Sequence, residues 1–296
     1  MKAVIKYLAI WLLLTVGGFA VAIVVHRFLG SLIPEYNIKE SDFENSALYA
    51  CIMLLFSQII PIIVFAKRKY ASYSFKFADR YDSSFPVKKL FIWAAVASVG
   101  CLLIEVMNVF NFPILEEWDK ALFGEDPEVE TSTLVTIIEL FSVCIFAPLA
   151  EEAVFRGAIE RRLLEKKWNH WYAIIISAVI FAVVHLSVYQ FISPFNIVVC
   201  WLYYRTRNLW PGILMHVVFN TIASVAQLVG EFVSDKPLSA ETVSLPYSIT
   251  IPLTLLGIAI LYYSVKQIAV ITRVRESASE KLVGEAQLYH GVSAEP

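Results

Sequence analysis

Two adjacent glutamates, Glu151 and Glu152, stand in the apolar stretch APLAEEAVFRGAIE, residues 147–160. An ionised carboxylate in hydrocarbon costs at least about 2.5–3.5 kcal/mol on insertion scales. A pair there needs partners and a task. Arg156 follows Glu152 by one helical turn and can pair with it along one helix face. Glu151 points about 100° away and lacks that neighbour. One compensated carboxylate beside an uncompensated one is what an intramembrane general base with a supporting ion pair requires.

Further polar residues fall inside other apolar blocks. His185 lies in VIFAVVHLS, and His216 and Asn220 lie in GILMHVVFN. His216 and Asn220 are four apart and share a helix face. Depth can be compared along the chain. With the turn of RRLLEKKWNHW near Trp168, Glu151 and His185 each lie 17 residues from it. At about 1.5 Å per residue both sit roughly 25 Å from that turn. His216 follows the Arg207–Asn208 turn by about eight residues, roughly 12 Å. Subtracting the charged part of the first turn puts Glu151 at a similar level. A carboxylate, two imidazoles and an amide therefore reach one depth from three helices. Each has a structural alternative: lone intramembrane His and Asn residues also hydrogen-bond neighbouring helices. Glu105 and Glu139 stand singly and read as structural.

The elements that must carry these residues are membrane helices. The chain is 58% hydrophobic, with 24 basic and 26 acidic residues, which excludes nucleic-acid binding by bulk charge. Its apolar residues form eight blocks, at 4–25, 47–66, 89–111, 134–156, 171–190, 194–205, 211–229 and 248–271. A spanning helix takes about 20 residues, so the sixth block is short for a full span. The first is too long for a signal-peptide core and reads as a retained span. With the N-terminus in the cytosol, all 24 basic residues except Arg27, Lys39, Lys120 and Lys236 face the cytosol, and the loop LEEWDKALFGEDPEVE (115–130) is an acidic outer loop. The positive-inside rule thus predicts an all-α, polytopic helix bundle of about eight transmembrane helices with both termini cytosolic. Residues 1–130 supply about three N-terminal spans and the outer loop. Residues 131–230 form the core, 231–274 the final span, and 275–296 a polar cytosolic tail without regular order. Pro211 is expected in the first turn of its helix. Cys51, Cys101, Cys144 and Cys200 read as small buried hydrophobes.

Three patterns occur in order: EExxxR (Glu151, Glu152, Arg156), FxxxH (Phe181, His185) and HxxxN (His216, Asn220). With Phe155-Arg156-Gly157 and the segment Arg205 to Pro211, they resemble the CPBP family. These are the CAAX-protease and bacteriocin-processing membrane proteins, also called Abi or type II CAAX endopeptidases. The resemblance covers about residues 145–222 and implies an intramembrane endopeptidase. Its partners would be membrane lipid and a peptide or lipidated protein substrate. In bacteria the family is linked to peptide maturation, immunity and surface-protein display.

Residue chemistry leaves two mechanisms open. In the first, expected here, no cofactor is used. Glu151 activates water, His185 holds the same water, His216 and Asn220 stabilise the oxyanion, and Glu152 with Arg156 supports them. In the second, Glu151, His185 and His216 bind zinc with water in the fourth position; no HExxH motif marks such a site. Two other classes compete with an enzyme: an immunity or scaffold protein that binds peptides without cutting them, and a proton-coupled transporter. No inverted repeat supports the transporter. With no organelle signal visible, the expected location is a bacterial plasma membrane, with the site in its cytosolic half.

Overall fold

The computed structural model describes residues 2–32, 56–65, 85–123, 133–166, 169–234 and 245–291. Among these residues every regular element is helical, as expected for an all-α chain. The order is α1 (Lys2–Leu32), α2 (Phe56–Phe65), α3 (Val87–Asn111), α4 (Pro113–Phe123), a composite helix α5 (133–164), α6 (His170–His185), α7 (Val188–Ile192), α8 (Pro194–Thr206), α9 (Trp210–Ser234) and α10 (Tyr247–Gly291).

Among the described residues, three helices are long and apolar enough to cross a membrane: Val87–Asn111, Trp210–Gly230 and Tyr247–Arg273. Val4–Gly18, Phe56–Phe65 and His170–His185 are apolar but shorter. The count of eight spans is therefore met only at the coarser level of a helical chain with several apolar helices. Two segments outside the apolar blocks carry helix. In the acidic segment, Pro113–Phe123 is helical; Glu116 in its first turn pairs with Lys120 at 3.2 Å. The polar tail is helical as far as Gly291, continuing the last span without a break. Half of the second apolar block, the turn at Trp168, and Cys51 lie outside the described residues.

Packing explains the arrangement around the glutamates. Helices α3 and α10 approach closely at two glycines. A Cβ on Gly257 would lie 2.8 Å from the Gly100 carbonyl oxygen, and one on Gly100 would lie 2.9 Å from the Leu261 nitrogen. Small residues allow such backbone contact where apolar burial offers little drive between helices. On another face of α3, Ser98 donates to the Met215 carbonyl of α9 at 2.6 Å. Helix α1 lays Val4, Tyr7 and Trp11 against Phe155, Ile159 and Leu163 of α5. The Glu-bearing helix is thereby enclosed: every residue from Glu152 to Glu160 is buried.

Candidate functional site

Helix α5 is not a regular α-helix. It carries π-helical turns at Ser142–Phe146 and Glu152–Glu160, flanking the short α-helical piece Ala147–Glu151. Wide turns of this kind are rare and tend to mark functional positions. The first has a traceable local cause. The Ala147 N–H bonds back to the Ser142 carbonyl, five residues earlier. In that register the Val143 carbonyl would face the nitrogen of Pro148, which has no N–H. The carbonyl is satisfied from another helix, by the Asn220 Nδ2 donating to it at 2.8 Å.

The other two elements are set by ordinary capping. Asn169 caps α6, its side chain accepting from the Trp171 N–H at 3.0 Å. That helix ends at His185, where Leu186 takes a left-handed conformation with φ 48°. Asn208 caps α9, accepting from the Trp210 N–H at 2.9 Å. Pro211 then sits in the first turn, where its missing N–H costs nothing.

These elements bring Glu151, His185 and His216 together. Glu151 Oε2 lies 3.6 Å from His185 Nε2 and 3.6 Å from His216 Nε2. The far side of each ring is fixed. His185 Nδ1 lies 2.8 Å from the Phe181 carbonyl, and His216 Nδ1 lies 3.0 Å from Glu152 Oε1. A carbonyl and a carboxylate only accept, so both Nδ1 atoms carry hydrogen. As neutral rings, both would then turn an Nε2 lone pair toward Glu151. Three acceptors facing one another beyond hydrogen-bond distance call for a donor among them: a shared proton or a water. Glu151 and His185 are partly open, with side chains 18% and 27% exposed, whereas His216 is almost closed at 6%.

Glu152 is the buried member of the glutamate pair. Its Oε1 is 3.2 Å from Arg156 Nη1 as well as 3.0 Å from His216 Nδ1. The Arg156 partner was legible from spacing; the His216 partner was not. Gly212, one turn before His216, makes room for this contact: a Cβ there would lie 3.3 Å from Glu152 Oε2. Phe195 packs on the His216 ring at 4.8 Å between centroids. Asn220 shares the His216 face, but its resolved bond runs to Val143. Glu105 binds Asn108 at 3.1 Å and takes no part. Cys101, Cys144 and Cys200 are buried free thiols. A cavity of about 500 Å³ beside Leu163, His170, Tyr204 and Arg207 includes none of the site residues.

Among the described residues, no group of three His, Cys, Asp or Glu side chains is arranged to hold a metal ion. Glu151 Oε2 and the two Nε2 atoms that face it are the donors that the zinc alternative would use.

The helices thus gather a Glu–His–His cluster from three elements of an apolar, helical chain. Comparison with known proteins shows what the chain is similar to. Residues 133–222 match the family model described as "Type II CAAX prenyl endopeptidase Rce1-like". The segment holds Glu151, His185, His216 and Asn220. A curated relative from Bacillus subtilis (strain 168), "Putative membrane peptidase YdiL", is 31% identical over 128 residues. That match takes in 40% of this chain, and the chain spans about half, 52%, of the relative's length. No solved structure matches the chain.

Proposed function

We propose that the chain is an intramembrane endopeptidase that cuts a membrane-associated peptide or lipid-modified protein without a metal. The observation that carries this reading is the meeting of Glu151 Oε2 with two imidazole Nε2 atoms, 3.6 Å from each, inside the Rce1-like segment.

Ionised Glu151 takes a proton from a water held between it and His185 Nε2. The water oxygen attacks the scissile carbonyl carbon, and the carbonyl π electrons move to oxygen. His216, oriented by Glu152 and donating from Nε2 once that atom carries the shared proton, and the second N–H of Asn220 stabilise that oxyanion. Such donors are typically worth about 3–4 kcal/mol each. Protonated Glu151 then gives its proton to the leaving nitrogen as the C–N bond breaks, which restores the carboxylate. Glu152 and Arg156 act through His216 rather than on the substrate.

In this reading about eight spans cross a plasma membrane, both termini are cytosolic, and the site opens to the cytosolic half. The distribution of basic residues supports that orientation. The test compares membrane peptidomes of cells carrying wild-type protein or Glu151→Gln. Cleavage products present with wild type and missing with the variant are expected. Identical peptidomes under conditions where the two cells differ in phenotype would sink the protease reading.

A further inference from the structure

We propose that Phe181 is a positioning residue for His185, its ring coupling the buried Glu152–Arg156 pair to the imidazole at the site. The proposal rests on the peptidase reading for its kinetic consequences but not for its geometry.

Phe181 is 2% exposed and would pass for ordinary core. Its neighbours are not ordinary. The Arg156 guanidinium carbon lies 4.4 Å from its ring centroid. The His185 ring stacks on it, with centroids 4.0 Å apart and planes 27° from parallel. The His216 ring meets it edge-on at 6.1 Å. Phe155 closes another side at 5.0 Å, also edge-on. One phenyl ring thus touches both site imidazoles and the cation that neutralises Glu152.

His185 depends on this residue twice. The Phe181 carbonyl accepts from its Nδ1, and the Phe181 ring bears on its face. Both contacts follow from the four-residue spacing on α6, which stacks side chains one turn apart. His185 is also the last residue of that helix, so the following backbone turns away and gives the ring no support. An aliphatic side chain at 181 would keep the carbonyl bond but lose the flat face that fixes the ring's tilt. It would also lose the electron-rich surface under the Arg156 cation. Position 181 therefore requires an aromatic ring rather than apolar volume alone.

The test compares Phe181→Leu and Phe181→Met with Phe181→Tyr in the full chain reconstituted in nanodiscs. The aliphatic variants are expected to lower kcat about 100-fold with little change in KM, as a small misplacement of a reacting group does. Phe181→Tyr is expected to stay near wild type. Histidine-labelled NMR gives a readout that needs no substrate. The His185 resonance, assigned with His185→Gln, should change its titration midpoint in the Leu and Met variants and keep it in Tyr. Should Phe181→Leu fail to fold, the Met and Tyr pair carries the same contrast. Leu or Met proteins with wild-type kcat and an unmoved His185 titration would overturn the proposal. Absence of turnover in the wild type would count against the peptidase reading alone, and the titration would then decide the role of Phe181.

Discussion

Glu152 offers the most discriminating perturbation, because one carboxylate oxygen serves two partners with separable effects. Oε1 is 3.2 Å from Arg156 Nη1 and 3.0 Å from His216 Nδ1, and Glu152 and Arg156 are 1% and 0% exposed. Glu152→Leu removes the carboxylate closest to the buried guanidinium, and breaking a buried pair in this way costs about 3–5 kcal/mol. At about 2–4 °C per kcal/mol that lowers Tm by roughly 6–20 °C. Glu152→Leu/Arg156→Leu removes both charges, and replacing a buried pair by apolar side chains is often neutral or better. The double variant should recover most of the lost Tm. Its activity should not recover, because His216 Nδ1 still lacks its acceptor and the ring is no longer held as an oxyanion donor. A loss of about 10²–10³ in kcat is expected for one such donor. The measurements are thermal unfolding in nanodiscs and cleavage of a fluorogenic peptide drawn from the membrane peptidome. A Glu152→Leu protein as stable as wild type would refute the ion-pair reasoning. A stable double variant with full activity would refute the link from Glu152 to His216.

Three other outcomes are expected. Gly212→Ala puts a methyl group 3.3 Å from Glu152 Oε2 and from Val199 Cγ2. Both neighbours are confined, so stability should fall by about 1–3 kcal/mol by overpacking, with a matching drop in kcat; an unchanged Tm and kcat would mean Glu152 can retreat. Asn220→Ala strands the Val143 carbonyl, at a cost of about 1–3 kcal/mol. Adding Pro148→Ala supplies an N–H and should restore stability without restoring activity, as read by Tm and turnover; failure to restore Tm would count against the Pro148 account of the π turn. Exhaustive chelation should leave turnover intact, with no stoichiometric zinc by elemental analysis. Loss on chelation with recovery on added zinc would transfer the chemistry to the metal mechanism.

Much of the site was legible because hydrocarbon makes polar residues conspicuous. Glu151, His185 and His216 stood out as costs, and equal counting from two turns placed them at one level. The structure adds that they also face one another. The Glu152–Arg156 pair followed from helical spacing alone. The fold was legible in class but not in detail. Blocks 89–111, 194–205 and 211–229 became helices close to those bounds. The acidic segment 113–123 read as a loop because its charges hide an apolar face that only the helical period reveals.

What escaped the sequence within the site has one physical origin. Hydropathy and i,i+4 spacing assume a uniform helix, and α5 is not uniform. A π-helical turn changes which residues share a face and which carbonyls lack a partner. Pro148 signals only that an N–H is missing; which carbonyl suffers depends on the register of the turn before it. Here that register leaves Val143 to Asn220, so the amide of HxxxN ties α9 to the Glu helix one turn beyond His216. Glu152 ties the same two helices together at His216 itself. Two cross-links of this kind, one turn apart, fix both the spacing and the rotation of α9 against α5. That is the degree of definition needed to hold the His216 imidazole 3.6 Å from Glu151 Oε2. On this argument the glutamate pair divides its labour by burial. The partly open Glu151 is the member that solvent can reach, and the closed Glu152 is the member that binds the opposing helix.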